Sequence, residues 1–393
     1  MFGRKGSIVL NRPKKSSGTD WQAEESGTLF SSGRRLSGPS PFCPVKTDFL
    51  IVGQGLAGSL LAWHLLEAGK RVLVVDRDEP ETSSKVAAGL VTPLAGARFN
   101  LPDGLEERLD FARGFYWRHE ELSGQRFFHH RRIARLFRDE AEAAAWNKRL
   151  ENGDERYTRF HAPLEIDSDR ISAPWGGFEM REGGWLDVPA FLEYTRLALL
   201  ERISYAIARV DSAEVIASED AVRWKNVEAS SIIFCEGWRG GQNRFFDWVP
   251  VRPTPGDILD LTLPGLADES RILNKGGWII PQGNGRFRAG STYRPVGTAA
   301  DPTEAGRDEV LSKIARITDL PPSVTGHRCA IRPTIRRSQV FMGKHPSEAR
   351  VAFFNGLGSK GVLNGPWHAA LLASHLLEGT PLPPETDLRH HFH

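Results

Sequence analysis

Hydrophobic positions become periodic only after residue 46. Residues 49–52 form an apolar run, a helical pattern follows, and a second apolar run ends at Asp76. A strand, a helix and a second strand in this order predict a βαβ unit with parallel strands. Residues 1–46 are rich in Ser, Gly, Lys and Arg and show no such period, so we predict a disordered or over-long N-terminal extension.

The rest of the chain alternates between helical and strand-like patterns. Helices are predicted over residues 104–122, 139–150 and 188–200, and a strand is predicted directly before the second helix. Between residues 204 and 343, short alternating runs separated by Gly, Asn and Pro predict mostly antiparallel strands. Residues 350–379 then return to a strand, a glycine-rich turn and a helix.

This order predicts an α/β plus α+β fold with two domains. A Rossmann-like dinucleotide domain is discontinuous, and a mostly antiparallel β domain is inserted into it. The predicted bounds are 47–98, 188–255 and 325–393 for the dinucleotide domain, and 99–187 and 256–324 for the inserted substrate domain.

Composition narrows the function classes. The formal net charge of +2 over 393 residues gives no overall electrostatic case for nucleic acid or an anionic membrane as the main partner. No apolar stretch reaches the roughly eighteen residues of a membrane span. Cys43, Cys235 and Cys329 lack C-x-x-C spacing, which favours a reducing, cytoplasmic compartment and no structural metal. The arginines between residues 126 and 138 are interpreted as a solvated strand edge, because acidic residues follow at once.

The turn after the first predicted strand carries a dinucleotide motif. Gly53, Gly55 and Gly58 stand in G-x-G-x-x-G register, which suits a tight turn, close approach to a diphosphate and close packing of helix on strand. The helix that begins near Leu56 would direct its free N–H groups at the diphosphate. Asp76 ends the second strand, where a carboxylate accepts hydrogen bonds from an adenosine ribose. By itself the motif is weak evidence for dinucleotide binding, but within a βαβ unit that ends in Asp it is specific.

The segment after the second strand favours a flavin over NAD. Residues 82–96, TSSKVAAGLVTPLAG, are mostly small, and an isoalloxazine ring needs close backbone approach and hydroxyl donors. An NAD domain has no special use for such a segment at this point. A flexible loop is the alternative for this stretch taken by itself.

Four further motifs extend the pattern: ARV at 208–210, IIFCEGW at 232–238, IIPQGNGRFRAGSTY at 279–293 and NGLGSKGVLNGP at 355–366. Together with the opening glycines and the AAG of the small-residue segment, they make the chain resemble the D-amino-acid oxidase and glycine oxidase family of FAD-dependent oxidoreductases. The resemblance covers nearly all of residues 47–390. It implies FAD contacts at Gly53, Gly55, Leu56, Ala57, Gly58, Asp76, Arg77, Ser84, Ala88, Gly89, Val210, Cys235, Glu236, Gly237, Gly356, Leu357, Gly358, Ser359, Lys360 and Gly361.

The last glycine-rich motif also has a physical interpretation. Gly356, Gly358 and Gly361 allow backbone amides to approach a planar ligand, and the helix that follows presents its N-terminus. Negative charge accumulates at the flavin N1–C2=O locus during reduction, and Lys360 or the helix dipole would stabilise it there. A solvated side chain is the alternative for Lys360.

The resemblance also implies a substrate arginine. Arg332, followed by Pro333, stands where the family pairs an arginine with the substrate carboxylate, and its planar fork suits two parallel bonds. A structural ion pair is the alternative. The chain then departs from the family, with Ile335, Arg337 and Val340 at positions that usually hold Thr, Asp and Pro. Arg336 and Arg337 would favour a second acidic group or a nucleic-acid-borne substrate, or they face water.

Other residues near the expected flavin ring have open roles. Tyr293 and Trp278 would line the open face of the ring, where they exclude water and orient an amine, and Tyr293 is predicted to be catalytic with Arg332. A role in the core or the sheet is the alternative for both aromatics. Arg294 is left unassigned, and Cys329 is interpreted as an inert buried thiol rather than a covalent flavin link.

The sequence therefore predicts an FAD-dependent oxidoreductase that oxidises a C–N bond of a small amino acid or secondary amine by hydride transfer to flavin. One alternative is oxidation of a carboxymethylamino group on tRNA uridine, against which the near-neutral charge and the lack of a partner methyltransferase domain count. Two others are a flavin-binding protein without turnover and an NAD-dependent dehydrogenase. The amine, the electron acceptor and the oligomeric state stay open.

Overall fold

The structure is a computed structural model, and it describes residues 45–94, 96, 98–166, 169–295, 297, 300–335 and 340–392.

The predicted N-terminal extension is too long by two residues. Val45 and Lys46 already belong to the first strand, where they pair with Val227 and Glu228. The rest of the extension lies outside the described residues, and so do Arg336 and Arg337.

The first sheet is built on parallel strands that are buried on both faces. Its inner strands are continuous apolar runs, such as residues 49–52, which is the pattern of a sheet covered by helices on both sides. Five parallel strands in the order β9-β2-β1-β12-β19 form its centre, β11 and β10 extend the sheet beside β12, and β18 pairs antiparallel with β19. The strands are β1 (Val45–Val52), β2 (Val72–Asp76), β9 (Tyr205–Ile207), β10 (Ile216–Ala217), β11 (Val222–Trp224), β12 (Val227–Phe234), β18 (Phe341–Lys344) and β19 (Val351–Asn355).

The second sheet is mostly antiparallel, and only one of its strand pairs, β14 with β5, is parallel. Its order is β17-β13-β16-β15-β14-β5-β7-β6, as expected for the inserted domain. The strands are β5 (Ile133–Leu136), β6 (His161–Pro163), β7 (Gly177–Met180), β13 (Val251–Thr262), β14 (Ile272–Asn274), β15 (Trp278–Gly283), β16 (Arg286–Gly290) and β17 (Ser323–Ile335).

The two longest strands of this sheet, β13 and β17, run across the predicted domain boundaries at 255/256 and 324/325. They pair with each other along almost their whole length, from Val251 opposite Ile335 to Thr262 opposite Ser323. The domain bounds given above therefore stay a prediction.

Helices pack on the first sheet, where α1 contacts β1, β2 and β19. Helix α1 packs on α7 and α5, and α3 packs on α7, so the first described α-helix lies against the last one. Three short strands form a small third sheet in the order β3-β8-β4. The remaining elements are β3 (Leu90–Val91), β4 (Phe128–His130), β8 (Gly184–Leu186), α1 (Leu56–Glu67), α2 (Ser83–Val86), α3 (Leu105–Ser123), α4 (Glu140–Glu151), α5 (Val188–Glu201), α6 (Glu304–Ile314) and α7 (Gly361–Glu378).

The helices confirm the periodicity argument, with one exception. α3, α4 and α5 lie within a residue or two of the predicted 104–122, 139–150 and 188–200, and Asp139 caps α4 by accepting a hydrogen bond from Glu142 N. In α3 the expected apolar face is buried at Leu109 and Tyr116, but Leu122 is 68% exposed. No helix of the described residues is long and apolar enough to cross a membrane.

The solvated strand edge predicted for the 126–138 arginines is wrong for Arg135. β5 lies inside the second sheet between β14 and β7, and the Arg135 side chain is buried. Its Nη2 donates to Glu142 Oε1 at 2.6 Å, so a helical carboxylate compensates the buried charge.

Candidate active site

A cavity of about 560 Å³ runs from the β1–α1 turn to the end of β17. Its wall combines the carboxyl ends of the parallel strands with one face of the antiparallel sheet, which is the usual position of a ligand in open α/β sheets. Of the predicted site residues, Gly58 and Gly356 do not line the cavity. Those that do are Gly53, Gly55, Leu56, Ala57, Asp76, Arg77, Ser84, Ala88, Gly89, Val210, Cys235, Glu236, Gly237, Tyr293, Arg332, Leu357, Gly358, Ser359, Lys360 and Gly361.

Glycine is required at two positions of the β1–α1 turn. Gly53 has φ +102°, and a Cβ there would lie 2.5 Å from the carbonyl oxygen of Cys235 at the end of β12. A Cβ at Gly58 would overlap the carbonyl oxygen of Gly53, so the third glycine of the motif lets α1 pack against its own strand rather than touch the ligand.

The segment after β2 closes over this turn. The Ser84 hydroxyl lies 3.0 Å from Leu56 N and accepts a hydrogen bond from it, at the first amide of α1. Thr82 caps the short helix α2 that carries Ser84. The small-residue segment therefore lies directly beside the helix N-terminus, where the fingerprint predicts a diphosphate.

Asp76 is held at the end of β2 by backbone amides. Its Oδ2 accepts from Gln54 N at 2.6 Å and its Oδ1 from Asp78 N at 2.7 Å, which fixes the carboxylate at the cavity wall. Each carboxylate oxygen can accept a further bond, so the geometry is compatible with ribose hydroxyls.

The cavity also has polar residues near Asp76 that the sequence argument missed. Arg239 stacks on Trp238 with 4.3 Å from its Cζ to the ring centroid, and its Nη2 donates to Glu79 Oε1 at 2.9 Å. All three line the cavity. The signal was the WR pair directly after Gly237, where a wide aromatic and a cation follow a turn already assigned to the cofactor.

Glu236 is an acidic residue in the wall near the β1–α1 turn. A Cβ at Gly53 would lie 3.6 Å from Glu236 Cα, and Glu236 Oε2 accepts from Asn243 Nδ2 at 2.8 Å. Burial raises the pKa of Glu236 to about 7, against a weaker opposing effect of the Asn243 hydrogen bond. The carboxyl group is therefore largely neutral in mildly acidic solution.

The last glycine-rich turn approaches the first from the other side. Gly356 and Gly358 have φ of +80° and +58°. Asn355, at the end of β19, accepts from Gly356 N at 2.8 Å and donates through Nδ2 to the carbonyl oxygen of Gly237. This side chain links the turn after β19 to the turn after β12. Gly356 thus shapes the turn from behind the wall.

Lys360 lies at the start of α7 and lines the cavity. Burial lowers the pKa of its ammonium group, which argues against the fully solvated alternative. Within the described residues it has neither a hydrogen-bond acceptor nor a carboxylate partner. Its charge is thus available to an anionic or electron-rich ligand in the cavity.

Arg332 lies at the other end of the cavity, on β17. Its Nη1 donates to the Thr292 carbonyl oxygen at 3.1 Å, and its Cζ is 4.4 Å from the centroid of the Tyr293 ring. Burial lowers the pKa of the guanidinium, although an arginine stays charged in ordinary buffers. None of the carboxylates in the described part of the chain forms an ion pair with it, so the structural ion pair has no partner there.

The two aromatic residues predicted to line the flavin ring, Trp278 and Tyr293, occupy different depths of the cavity. Trp278 is half-buried beneath Gly290, where a Cβ would lie 2.7 Å from the indole ring. Tyr293 is 58% exposed, and its hydroxyl lies 2.9 Å from Ser359 Oγ. Tyr293 therefore lies at the mouth of the cavity, which opens to solvent at the Arg332 end.

Arg294 and Cys329 lie behind this end of the cavity, outside its wall. Arg294 Nη2 is 2.5 Å from Cys329 Sγ, and its Nε is 3.3 Å from Asp257 Oδ2. The Cys329 thiol is buried, and burial raises its pKa, which is consistent with an inert thiol. No group of His, Cys, Asp and Glu able to hold a metal occurs among the residues that the structure describes.

The family model of FAD-dependent oxidoreductases, abbreviated DAO, matches residues 48–375. The chain belongs to this DAO family. The resemblance, the fold class and FAD as cofactor are thereby confirmed, and the interpretation as an NAD-dependent dehydrogenase is wrong. The glycine cradle of the β1–α1 turn, whose Cβ positions are filled by other atoms, fits such a nucleotide.

Two of the solved structures of similar fold are oxidases. Glycine oxidase from Geobacillus kaustophilus superposes with a TM-score of 0.73 at 16% identity, covering 86% of this chain and 96% of that one. Iminodiacetate oxidase from Chelativorans sp. BNC1 superposes with a TM-score of 0.71 at 22% identity, covering 86% and 99%. At these identities the likeness shows the DAO fold alone.

The matching curated relatives are named for the biosynthesis of a modified tRNA uridine. The tRNA 5-methylaminomethyl-2-thiouridine biosynthesis bifunctional protein of Burkholderia pseudomallei is 26% identical over 306 residues. The match covers 72% of this chain and 45% of that protein, so the chain spans less than half the length of the curated relatives it matches.

Proposed function

We propose that the protein oxidises the C–N bond of a small amine that carries a carboxylate, of the form R–NH–CH2–COO⁻. One observation carries the proposal: Arg332 presents a half-buried guanidinium to the cavity, and no carboxylate of the described residues is paired with it. Leaving such a cation without a partner raises the free energy of the protein, and an anionic group that enters the site lowers it.

The chemistry requires alignment rather than a strong acid or base on the protein. FAD, when bound, supplies the acceptor for the two electrons that leave the amine. Loss of hydride from the carbon and of a proton from the nitrogen of the neutral amine gives an imine. Water then adds to the imine and releases an amine and a 2-oxo acid.

Three residues of the cavity wall have a part in this alignment. Arg332 binds the carboxylate through its two parallel N–H groups and so fixes the adjacent C–H bond. Tyr293 holds the guanidinium from one side and shields it from water. Lys360, at the α7 N-terminus, stabilises negative charge that develops on the cofactor side.

The names of two similar structures support this substrate class. Glycine and iminodiacetate, the compounds in the names of the two oxidases, both contain an amine nitrogen bonded to CH2–COO⁻. We extend this unit to the present chain as the common recognition element, and leave the second substituent of the nitrogen to the test.

Anaerobic reduction of the flavin is the direct experiment. Glycine, sarcosine, iminodiacetate, proline and D-alanine are added in turn to the purified protein, and bleaching of the flavin absorbance is followed. We expect bleaching by at least one N–CH2–COO⁻ compound and its loss in Arg332→Met. Arg328→Met is the matched control, because Arg328 lies on the same strand and pairs with Asp260 instead.

Two results would contradict the proposal. Bleaching that is equally fast in Arg332→Met would show that Arg332 does not bind the substrate carboxylate. Absence of bleaching with every amine, in a protein that holds FAD, would favour the flavin-binding protein without turnover.

A second candidate is oxidation of a carboxymethylamino group on tRNA uridine. The bifunctional tRNA-modifying relatives favour it, and the exposed position of Tyr293 leaves room for a large substituent outside the cavity. The same N–CH2–COO⁻ unit would then be presented by a nucleoside. A gel shift with tRNA and nucleoside analysis after incubation distinguish it, since a small-amine oxidase would leave the tRNA unchanged. For either substrate we propose a cytoplasmic location, to which the free thiols of Cys235 and Cys329 are suited.

A further inference from the structure

A buried carboxylate lies directly behind the substrate end of the cavity and does not line it. Asp257, on β13, is fully buried and is not part of the cavity wall. Successive residues of a strand point to opposite faces, and a Cβ on the preceding Gly256 would overlap the Arg332 guanidinium. Asp257 and Arg332 therefore lie on opposite faces of the same strand pair.

The carboxylate of Asp257 is bound from three directions. Its Oδ2 accepts from Thr292 Oγ1 at 2.8 Å, and its Oδ1 lies 2.9 Å from His327 Nε2. Arg294 Nε lies 3.3 Å from Oδ2. A buried carboxylate satisfied in this way fixes the groups that donate to it, because each would lose a partner if it moved.

The first turn of α6 lies against the same carboxylate. A Cβ on Gly306 would lie 2.5 Å from Asp257 Oδ2, so only glycine permits this approach. The positive end of a helix dipole stabilises negative charge within its first turn. The position of α6 thus helps to hold the Asp257 carboxylate in place.

Thr292 connects this network to the substrate arginine. Its hydroxyl donates to Asp257 Oδ2 and accepts from Asp257 N at 2.9 Å. Thr292 is therefore held by both the carboxylate and the backbone of Asp257. Its carbonyl oxygen, on the other side, accepts from Arg332 Nη1 at 3.1 Å. The next residue, Tyr293, supplies the ring that lies against the guanidinium. Both contacts that orient Arg332 therefore come from a loop that Asp257 holds.

We propose that Asp257 is a positioning residue, which acts through Thr292 to set the Arg332 guanidinium for the substrate carboxylate. This inference deepens the proposed function and rests on it. The backbone of the 291–294 loop is also attached by Thr292 N to the Asp257 carbonyl oxygen at 3.4 Å, by Arg294 N to the Pro255 carbonyl oxygen at 2.9 Å and by Lys313 Nζ to the Ser291 carbonyl oxygen at 2.8 Å. The Thr292 hydroxyl contact with the Asp257 carboxylate is the one made by the side chain of the residue whose carbonyl oxygen meets Arg332. Weakening the Asp257 contact would thus let the Thr292 carbonyl and the Tyr293 ring shift together.

Binding of acetate to the FAD-bound protein tests the inference without knowledge of the substrate. Acetate is titrated and the perturbation of the flavin absorbance gives its Kd. Asp257→Asn and Thr292→Val should each raise this Kd about tenfold, as expected for the loss of one hydrogen bond to a charged group. Thr292→Ser keeps the hydroxyl and should restore the wild-type value.

The matched control is Asp260→Asn. Asp260 lies on the same strand and pairs with Arg288 and Arg328, so its loss removes a carboxylate of similar position that is not connected to Thr292. We expect no change in acetate affinity. A general loss of stability would shift the melting temperature but would not separate Thr292→Val from Thr292→Ser in acetate binding.

The outcomes separate the inference from the function on which it rests. If Arg332→Met abolishes the acetate effect but Asp257→Asn and Thr292→Val bind acetate as the wild type does, the positioning role is wrong and the carboxylate site stands. If Arg332→Met binds acetate normally, the carboxylate site itself is wrong. Weakened binding in Asp257→Asn and Thr292→Val, with recovery in Thr292→Ser, supports both.

Discussion

The hydroxyl of Tyr293 lies 2.9 Å from the hydroxyl of Ser359, across the mouth of the cavity. Tyr293 follows the last strand of the β15–β16 hairpin, and Ser359 belongs to the turn before α7. The hydrogen bond therefore joins the substrate side of the cavity to the glycine-rich turn on the cofactor side. The ring of the same tyrosine contacts Arg332, so one side chain connects both sides.

Substitution of Tyr293 should separate these two contacts. Tyr293→Phe loses the bond to Ser359 but keeps the ring, and we expect kcat/KM to fall about twofold to threefold. Tyr293→Ala also removes the ring from Arg332 and should lower kcat/KM about tenfold, mainly through KM, because a cation–π contact is lost and water reaches the guanidinium. Steady-state kinetics with the amine that bleaches the flavin fastest measure both. Equal values for Phe and Ala would show that the ring contact has no part in binding.

Glu236 should make FAD binding depend on pH. Burial raises the pKa of this carboxyl to about 7, so the group is neutral below that value and becomes a carboxylate above it. The ionised form lies beside the turn predicted to hold the FAD diphosphate and would repel it. Affinity should therefore be highest below pH 7 and fall about tenfold between pH 6 and pH 8.

Fluorescence titration of the apoprotein with FAD at several pH values measures this dependence. Glu236→Gln keeps the size and the bond from Asn243, and it should flatten the profile at the high-affinity level. A profile in Glu236→Gln that is as steep as in the wild type would assign the dependence to another group.

Gly58 is predicted to be irreplaceable although it does not line the cavity. A methyl group there would overlap the carbonyl oxygen of Gly53, so α1 would move away from β1. We expect Gly58→Ala to destabilise the protein by about 2 kcal/mol and to lower the flavin content after purification. Thermal unfolding and the ratio of flavin to protein absorbance report these effects.

Gly114→Ala provides the comparison. Gly114 lies inside α3, where an added Cβ meets no atom within 4 Å. Because alanine is the better helix former, we expect unchanged stability or a gain of up to about 1 kcal/mol. Equal effects of the two substitutions would mean that steric overlap at the turn does not matter.

The buried pair between Arg135 and Glu142 should be important for stability. Removal of the Glu142 carboxylate leaves the buried guanidinium of Arg135 without a carboxylate partner. Glu142 also accepts from Arg138 N at 2.8 Å. We expect Glu142→Gln to lower the free energy of unfolding by about 3 kcal/mol or more. Asp154→Asn removes the exposed pair with Arg156 and should lower the free energy of unfolding far less, because solvent screens the pair. Urea denaturation distinguishes the two.

Features that depend on neighbouring residues were predictable from the sequence. The spacing of Gly53, Gly55 and Gly58 and the apolar runs of β1 and β2 define the βαβ unit without knowledge of distant contacts. The order of patterns along the chain likewise gave a parallel sheet with an antiparallel insertion. The predicted glycine-rich turns, far apart in sequence, line one cavity.

Features that depend on distant partners were not predictable. Arg135 follows a polar stretch and looks exposed, but its strand is inserted between two others and its charge is compensated by Glu142. In the sequence, Asp257 is a single polar residue in a predicted strand, and its partners Thr292 and His327 lie 35 and 70 residues away. Arg239 at the cavity wall was missed because its only local signal is the WR pair after Gly237, while its partner Glu79 lies 160 residues away.

The packing of α1 against α7 has a consequence for the order of events during synthesis. The turn at 356–361 follows the glycine cradle at Gly53 by some three hundred residues, so it emerges from the ribosome long after the cradle. In the interval the nascent chain has only one of the two glycine-lined walls of the pocket. We therefore expect tight binding of the flavin only after both walls have emerged.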